Sequence, residues 1–175
     1  MKRVLILVAI VAVSACGSDS SSVAPTPTIA QIAGVWRGTA RTASTSGGEC
    51  FAATFASTVG GSGPITVAVS QSGASVGATV TSDANGGNYT YSGSVGQSAI
   101  SLTGSSCSAC NFIGAHCPSS TATRDIKLQT LSVSGTVSGS VMTGTQSETY
   151  NVFVAGTTTA VGTLVLSSTF TVTRQ

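Results

Sequence analysis

From Gln31 onward the chain alternates apolar with polar residues in short runs, the period-2 signature of strands that bury one face. In the tract Tyr89-Thr90-Tyr91-Ser92, for example, aromatic and hydroxyl side chains fall on opposite faces of an extended backbone. The alternation predicts strands over 34–42, 50–58, 65–71, 75–81, 89–95, 99–103, 124–134, 138–153 and 161–174. No apolar stripe at helical spacing is long enough to predict a helix. Turn residues separate nearly all of these runs: Gln71-Ser72-Gly73-Ala74, Asn85-Gly86-Gly87-Asn88, Val95-Gly96-Gln97 and Ser138-Gly139 all carry tight-hairpin chemistry. Short loops make neighbours in sequence neighbours in space, so the expected fold is all-β, an antiparallel up-and-down meander of about 8–10 strands. An open meander leaves two unpaired edges, and closure into a barrel removes them. The longer connections at 60–64 and 105–123 keep a β-sandwich as the alternative.

The first thirty residues follow a different pattern. Lys2 and Arg3 precede an unbroken apolar run over 4–13, and the small residues Ser14 and Ala15 stand directly before Cys16. This is the layout of a secretory signal, with an apolar run about half as long as the roughly 20 residues a spanning helix needs. The tract Val13-Ser14-Ala15-Cys16 resembles the bacterial lipobox. The resemblance implies cleavage before Cys16, a diacylglyceryl thioether on its sulfur, and a further fatty acyl group such as palmitate on the new amino terminus. Two or three such chains anchor a protein durably, since each buried CH₂ contributes about 0.8 kcal/mol. Residues 1–15 are therefore expected to be a signal peptide, and 16–30, rich in Ser, Thr and Pro, a flexible tether. Residues 31–175 form the single β domain. Gly17 is not the aspartate that resembles an inner-membrane retention signal, so in a Gram-negative host the expected location is the outer membrane. A transmembrane barrel is disfavoured because a lipid anchor would be redundant and the strands lack paired aromatic girdles.

Composition sharpens this picture. Charged residues make up 7% of the chain, where about a quarter is usual, so solubility must rest on Ser, Thr, Asn and Gln. Without residues 1–15 the cations Arg37, Arg41, Arg124, Lys127 and Arg174 balance the acids Asp19, Glu49, Asp83, Asp125 and Glu148. There is no basic face, and nucleic acid is not an expected partner.

The opening of the first strand, Gly34-Val35-Trp36-Arg37-Gly38-Thr39, resembles the Gly-x-Trp start of lipocalins and related small barrels. In that family the tryptophan plugs the barrel base and a late arginine stacks over its ring. Carried over, the resemblance assigns the plug to Trp36 and the cation to Arg174.

If Cys16 is lipidated, Cys50, Cys107, Cys110 and Cys117 remain as an even set, and export predicts their oxidation to disulfides. Three connectivities fit the sequence equally. A Cys₃His metal site from Cys107, Cys110, Cys117 and His116 is the sharper alternative, but it strains adjacent His116 and Cys117 and strands Cys50. A redox pair at Cys107 and Cys110 would need a helix N-terminus to lower its thiol pKa, and none is predicted. Enzyme chemistry has little support: His116 is the only histidine, the acids are scattered, and there is no nucleophile elbow or phosphate-binding loop. A triad of a serine, His116 and Asp125 is only a combinatorial coincidence among so many serines. No cofactor and no metal are expected.

The expected function is thus that of a non-enzymatic, membrane-anchored cell-envelope lipoprotein whose barrel binds a small apolar ligand. The alternatives are a filled barrel that contacts an envelope protein through its surface, and a Cys/His metal-binding protein. An interior cavity lined by Phe51, Phe55, Tyr89 and Tyr91 would favour ligand binding, and a packed interior the structural role.

Overall fold

The computed structural model describes residues 28–82 and 87–175. The signal peptide, Cys16 and nearly all of the tether lie outside the described residues, as does most of the turn expected at Asn85-Gly86. Nine strands form one sheet: β1 (Gly34–Gly47), β2 (Ser62–Ser72), β3 (Ser75–Ser82), β4 (Asn88–Val95), β5 (Ala99–Cys107), β6 (Phe112–His116), β7 (Thr123–Ser138), β8 (Val141–Val154) and β9 (Ala160–Arg174). Neighbours pair antiparallel in the order β5-β4-β3-β2-β1-β9-β8-β7-β6, and β5 also pairs with β7. That last pairing, with Leu102 opposite Val133, closes eight strands into an up-and-down barrel. β6 stands outside the ring, on the opening half of β7.

Inward-facing positions follow the alternation. Trp36 on β1, Ile65 and Val67 on β2, Val76 and Ala78 on β3, Tyr89, Tyr91 and Val95 on β4, and Leu164 and Val172 on β9 are all buried. The outer face is hydroxyl-rich: Ser134 pairs with Thr145 and Thr136 with Thr143 across β7 and β8. Glycine holds two positions of the inward register where neighbouring strands come close. A Cβ on Gly38 would lie 2.0 Å from the carbonyl oxygen of Thr171, and one on Gly93 would lie 2.1 Å from that of Ser101. A side chain at either position would push neighbouring strands apart.

The two ends of the barrel differ. The base has short hairpins, with Gly73 and Gly139 in the left-handed region at φ 58°. Across it lies the strap formed by residues 28–33. Ala30 N–H donates to Gly96 O at 2.9 Å, and the Gln71 amide accepts from Ile32 N–H at 2.7 Å while donating to Ala30 O at 2.9 Å. Ile29 and Ala30 also pack against the core. The opposite end carries all the longer connections.

Two readings of the sequence are corrected at that end. The strand expected over 50–58 is a 3₁₀ turn (Glu49–Phe51) followed by a short helix, α1 (Ala52–Ala56). Gly47, Gly48 and Glu49 all have positive φ and turn the chain off β1. The alanines that follow favour helix over strand, and Phe51 and Phe55 come onto one side, their ring centroids 6.2 Å apart. The connection at 105–123 contains β6, which alternation did not reveal because four of its five residues are exposed.

Candidate functional site: the barrel cavity

Trp36 is fully buried at the base, and its Nε1–H donates to Ile32 O at 2.9 Å. Trp36 and Arg174 are direct partners between β1 and β9. The Arg174 guanidinium lies 4.9 Å from the Trp36 ring centroid and donates to the Gln31 carbonyl. Ring, cation and strap together close this end.

Above Trp36 the barrel holds a cavity of about 530 Å³, within the roughly 300–1,000 Å³ typical of small-molecule sites. Ile65, Val67, Ile100, Leu102, Met142 and Leu164 supply much of its wall, and Phe55, Phe112 and Ser62 reach it from the far end. Of the four aromatic residues expected to line a cavity, Phe55, Tyr89 and Tyr91 do so. Phe51 is buried in the core beside them without lining it.

Polar side chains from several elements line the cavity, Arg41, Ser82 and Ser168 among them, and those of β8 and β4 include its acid and its tyrosines. Gln146, Glu148 and Tyr150 lie on the inward register of β8, in phase with Met142 and Val152, and all three line the cavity. Both oxygens of Glu148 accept hydrogen bonds, one from Gln146 Nε2 and the other from the Tyr150 hydroxyl. Opposite, Tyr91 is 1% exposed, and its hydroxyl is a buried polar group without a hydrogen-bond partner among the described residues. Burial, reinforced by the charge of Glu148, pushes the Tyr91 and Tyr150 hydroxyls well above the ordinary phenol range. Glu148 had been counted among scattered acids. Its even spacing from Met142, Tyr150 and Val152 is the signal that places it inside.

The four expected disulfide residues form two bridges, Cys50–Cys117 and Cys107–Cys110, with Cα–Cα distances of 5.5 and 5.6 Å. Cys50–Cys117 ties the segment between β1 and β2 to the end of the β6 connection. Beside it, Arg124 on β7 pairs with Glu49 at 3.1 Å. These contacts fix one wall of the mouth. Asp125 fixes another, accepting from Gly114 N–H at 2.9 Å and Gly156 N–H at 3.1 Å. The two backbone bonds hold its carboxyl below the ordinary range, as Arg124 does that of Glu49.

The bridges bear directly on the Cys₃His alternative. Sulfurs bound in disulfides offer no thiolate to a Cys₃His centre. Among the described residues, the grouping with metal-ligand spacing is Glu49, Cys50 and Cys117, whose two sulfurs are bonded to each other. His116 is exposed at the end of β6, while both oxygens of Asp125 are committed to backbone amides. Compared with protein-family models, with curated proteins and with solved structures, the chain matches none.

Proposed function

We propose that this protein is a non-enzymatic binding module of the cell envelope, a lipocalin-like barrel that takes a small apolar molecule into its interior and is held at a membrane through lipidated Cys16. The observation that carries the reading is the cavity: about 530 Å³, with a wall in which aliphatic and aromatic side chains are joined by polar ones such as Glu148, Tyr91 and Ser168. Eight-stranded barrels are just wide enough to be filled by their own side chains or to hold one small ligand. An unfilled interior supports the second use. The two disulfides suit an exported protein, and the lipobox-like tract supplies the anchor. The chain enters the barrel at its base, so a tether there would turn the mouth away from the membrane.

Native mass spectrometry of the full chain extracted from membranes tests the reading in one measurement. The expected species carries acyl groups on Cys16, lacks four thiol hydrogens, and releases a non-covalent small molecule on activation. An unmodified Cys16 would remove the anchor from this account. Failure of the full chain to take up any apolar probe would remove the binding role.

A further inference from the structure

Among the described residues no ion pair reaches Glu148, the acid in the cavity wall. Glu148 is 7% exposed. Its described hydrogen-bond partners, Gln146 and Tyr150, are neutral. The ion pairs among the described residues are Arg124 with Glu49 and Lys127 with Asp125. Each Glu148 oxygen accepts from one neutral donor and keeps a further lone-pair direction. Buried charges in proteins are ordinarily paired. The Tyr91 hydroxyl, also in the cavity wall, is a second buried polar group awaiting a partner.

From this constellation we infer that the ligand is an organic cation, an ammonium group on an apolar body, with its head between Glu148 and Tyr91. The inference rests on the cavity-binding reading above and names its ligand class. An ammonium carries three donors and no acceptor, which suits a site offering carboxylate oxygens and a phenol oxygen. The surrounding aliphatic wall suits the remainder of such a molecule. An anionic head would instead bring a second negative charge to Glu148. Arg41, which also lines the cavity, is the cation that could draw an anion. It is exposed, hydrogen-bonded to Gly60 O at 3.3 Å, and screened by solvent and salt.

The test is a calorimetric titration of the full chain with three probes of equal length: n-octylammonium, n-octanol and n-octanoate. A charge-assisted hydrogen bond in place of a neutral one predicts that octylammonium binds about 10–100-fold more tightly than octanol, with octanoate weakest. Glu148→Gln, which keeps the shape of the side chain, should erase that preference. Tyr91→Phe should weaken octylammonium while the barrel stays folded by circular dichroism. Octanol or octanoate binding as tightly as octylammonium overturns the cation inference and leaves the cavity reading standing. If none of the three binds, both fall.

Discussion

The two disulfides close loops of very different length, and this allows their contributions to be separated. Cys50 and Cys117 are 67 residues apart, Cys107 and Cys110 only 3. In the chain-entropy description a crosslink removes unfolded-state entropy of about 2.1 + 1.5R ln n cal/mol/K. At 25 °C this gives about 4.4 kcal/mol for the long loop and about 1.6 kcal/mol for the short one. Each bridge has one buried sulfur partner, Cys117 at 3% and Cys110 at 4% exposure, so lost packing nearly cancels in the comparison. Unfolding entropy for a domain of about 145 residues is roughly 0.3 kcal/mol/K, which converts the two losses to about 14 °C and about 5 °C in Tm. The assay is urea denaturation of the full chain as Cys50→Ala/Cys117→Ala and as Cys107→Ala/Cys110→Ala, alongside the parent. The long-loop variant should lose more than twice the stability of the other. Its m-value should also rise, because the uncrosslinked unfolded chain exposes more surface. Equal losses, or a larger loss for the short loop, would refute the entropic argument and place the value of these bridges in native packing.

Other consequences can be measured on the same material. Trp36→Ala should cost about 3–5 kcal/mol as a large core truncation, and Arg174→Gln about 0.5–1 kcal/mol as loss of an exposed cation–π contact, both read from denaturation midpoints. In an alkaline titration followed by tyrosinate absorbance, Tyr91 and Tyr150 should stay neutral until the barrel unfolds. Their raised folded-state values mean that they contribute stability in full below the ordinary phenol pKa and lose it as pH climbs beyond. Stepwise ionisation of all three tyrosines in a still-folded barrel would contradict the burial argument. For Asp125 and Glu49 the sign reverses: their lowered values contribute stability above the ordinary carboxylate range that is lost as pH falls through it. Asp125→Asn should therefore flatten the acid limb of a stability-versus-pH curve.

The barrel itself was readable from alternation and turn chemistry because both are local. Tyr89, Tyr91 and Val95 announce their inward face through the polar residues between them, and Gly73 and Gly139 mark hairpins that only positive φ allows. The bend after Gly47 was harder to read. Cys50, Phe51 and Phe55 look like a strand until Glu49 is seen in the left-handed region. β6 escaped because its side chains are mostly exposed, so it has no buried face to betray it. Glu148 was the most instructive case. An acid is ordinarily assigned to the surface, and only the register of β8, fixed by Met142, Tyr150 and Val152, carries it indoors. The disulfide pairing depends on which loops of the barrel meet, and Cys50 and Cys117 lie 67 residues apart, beyond the reach of a local signal.

The strap across the base also determines how the fold would carry mechanical load. A pull on the chain upstream of Ile29 reaches the protein through Ala30 and Ile32. From there it divides between Gly96, in the turn joining β4 and β5, and the Gln71 side chain at the end of β2. Tension is thus shared by two hairpins and dissipated at the base, with the full length of the barrel between it and the crosslinked rim. A pull from that side would loosen Gln71 before it deformed the opening.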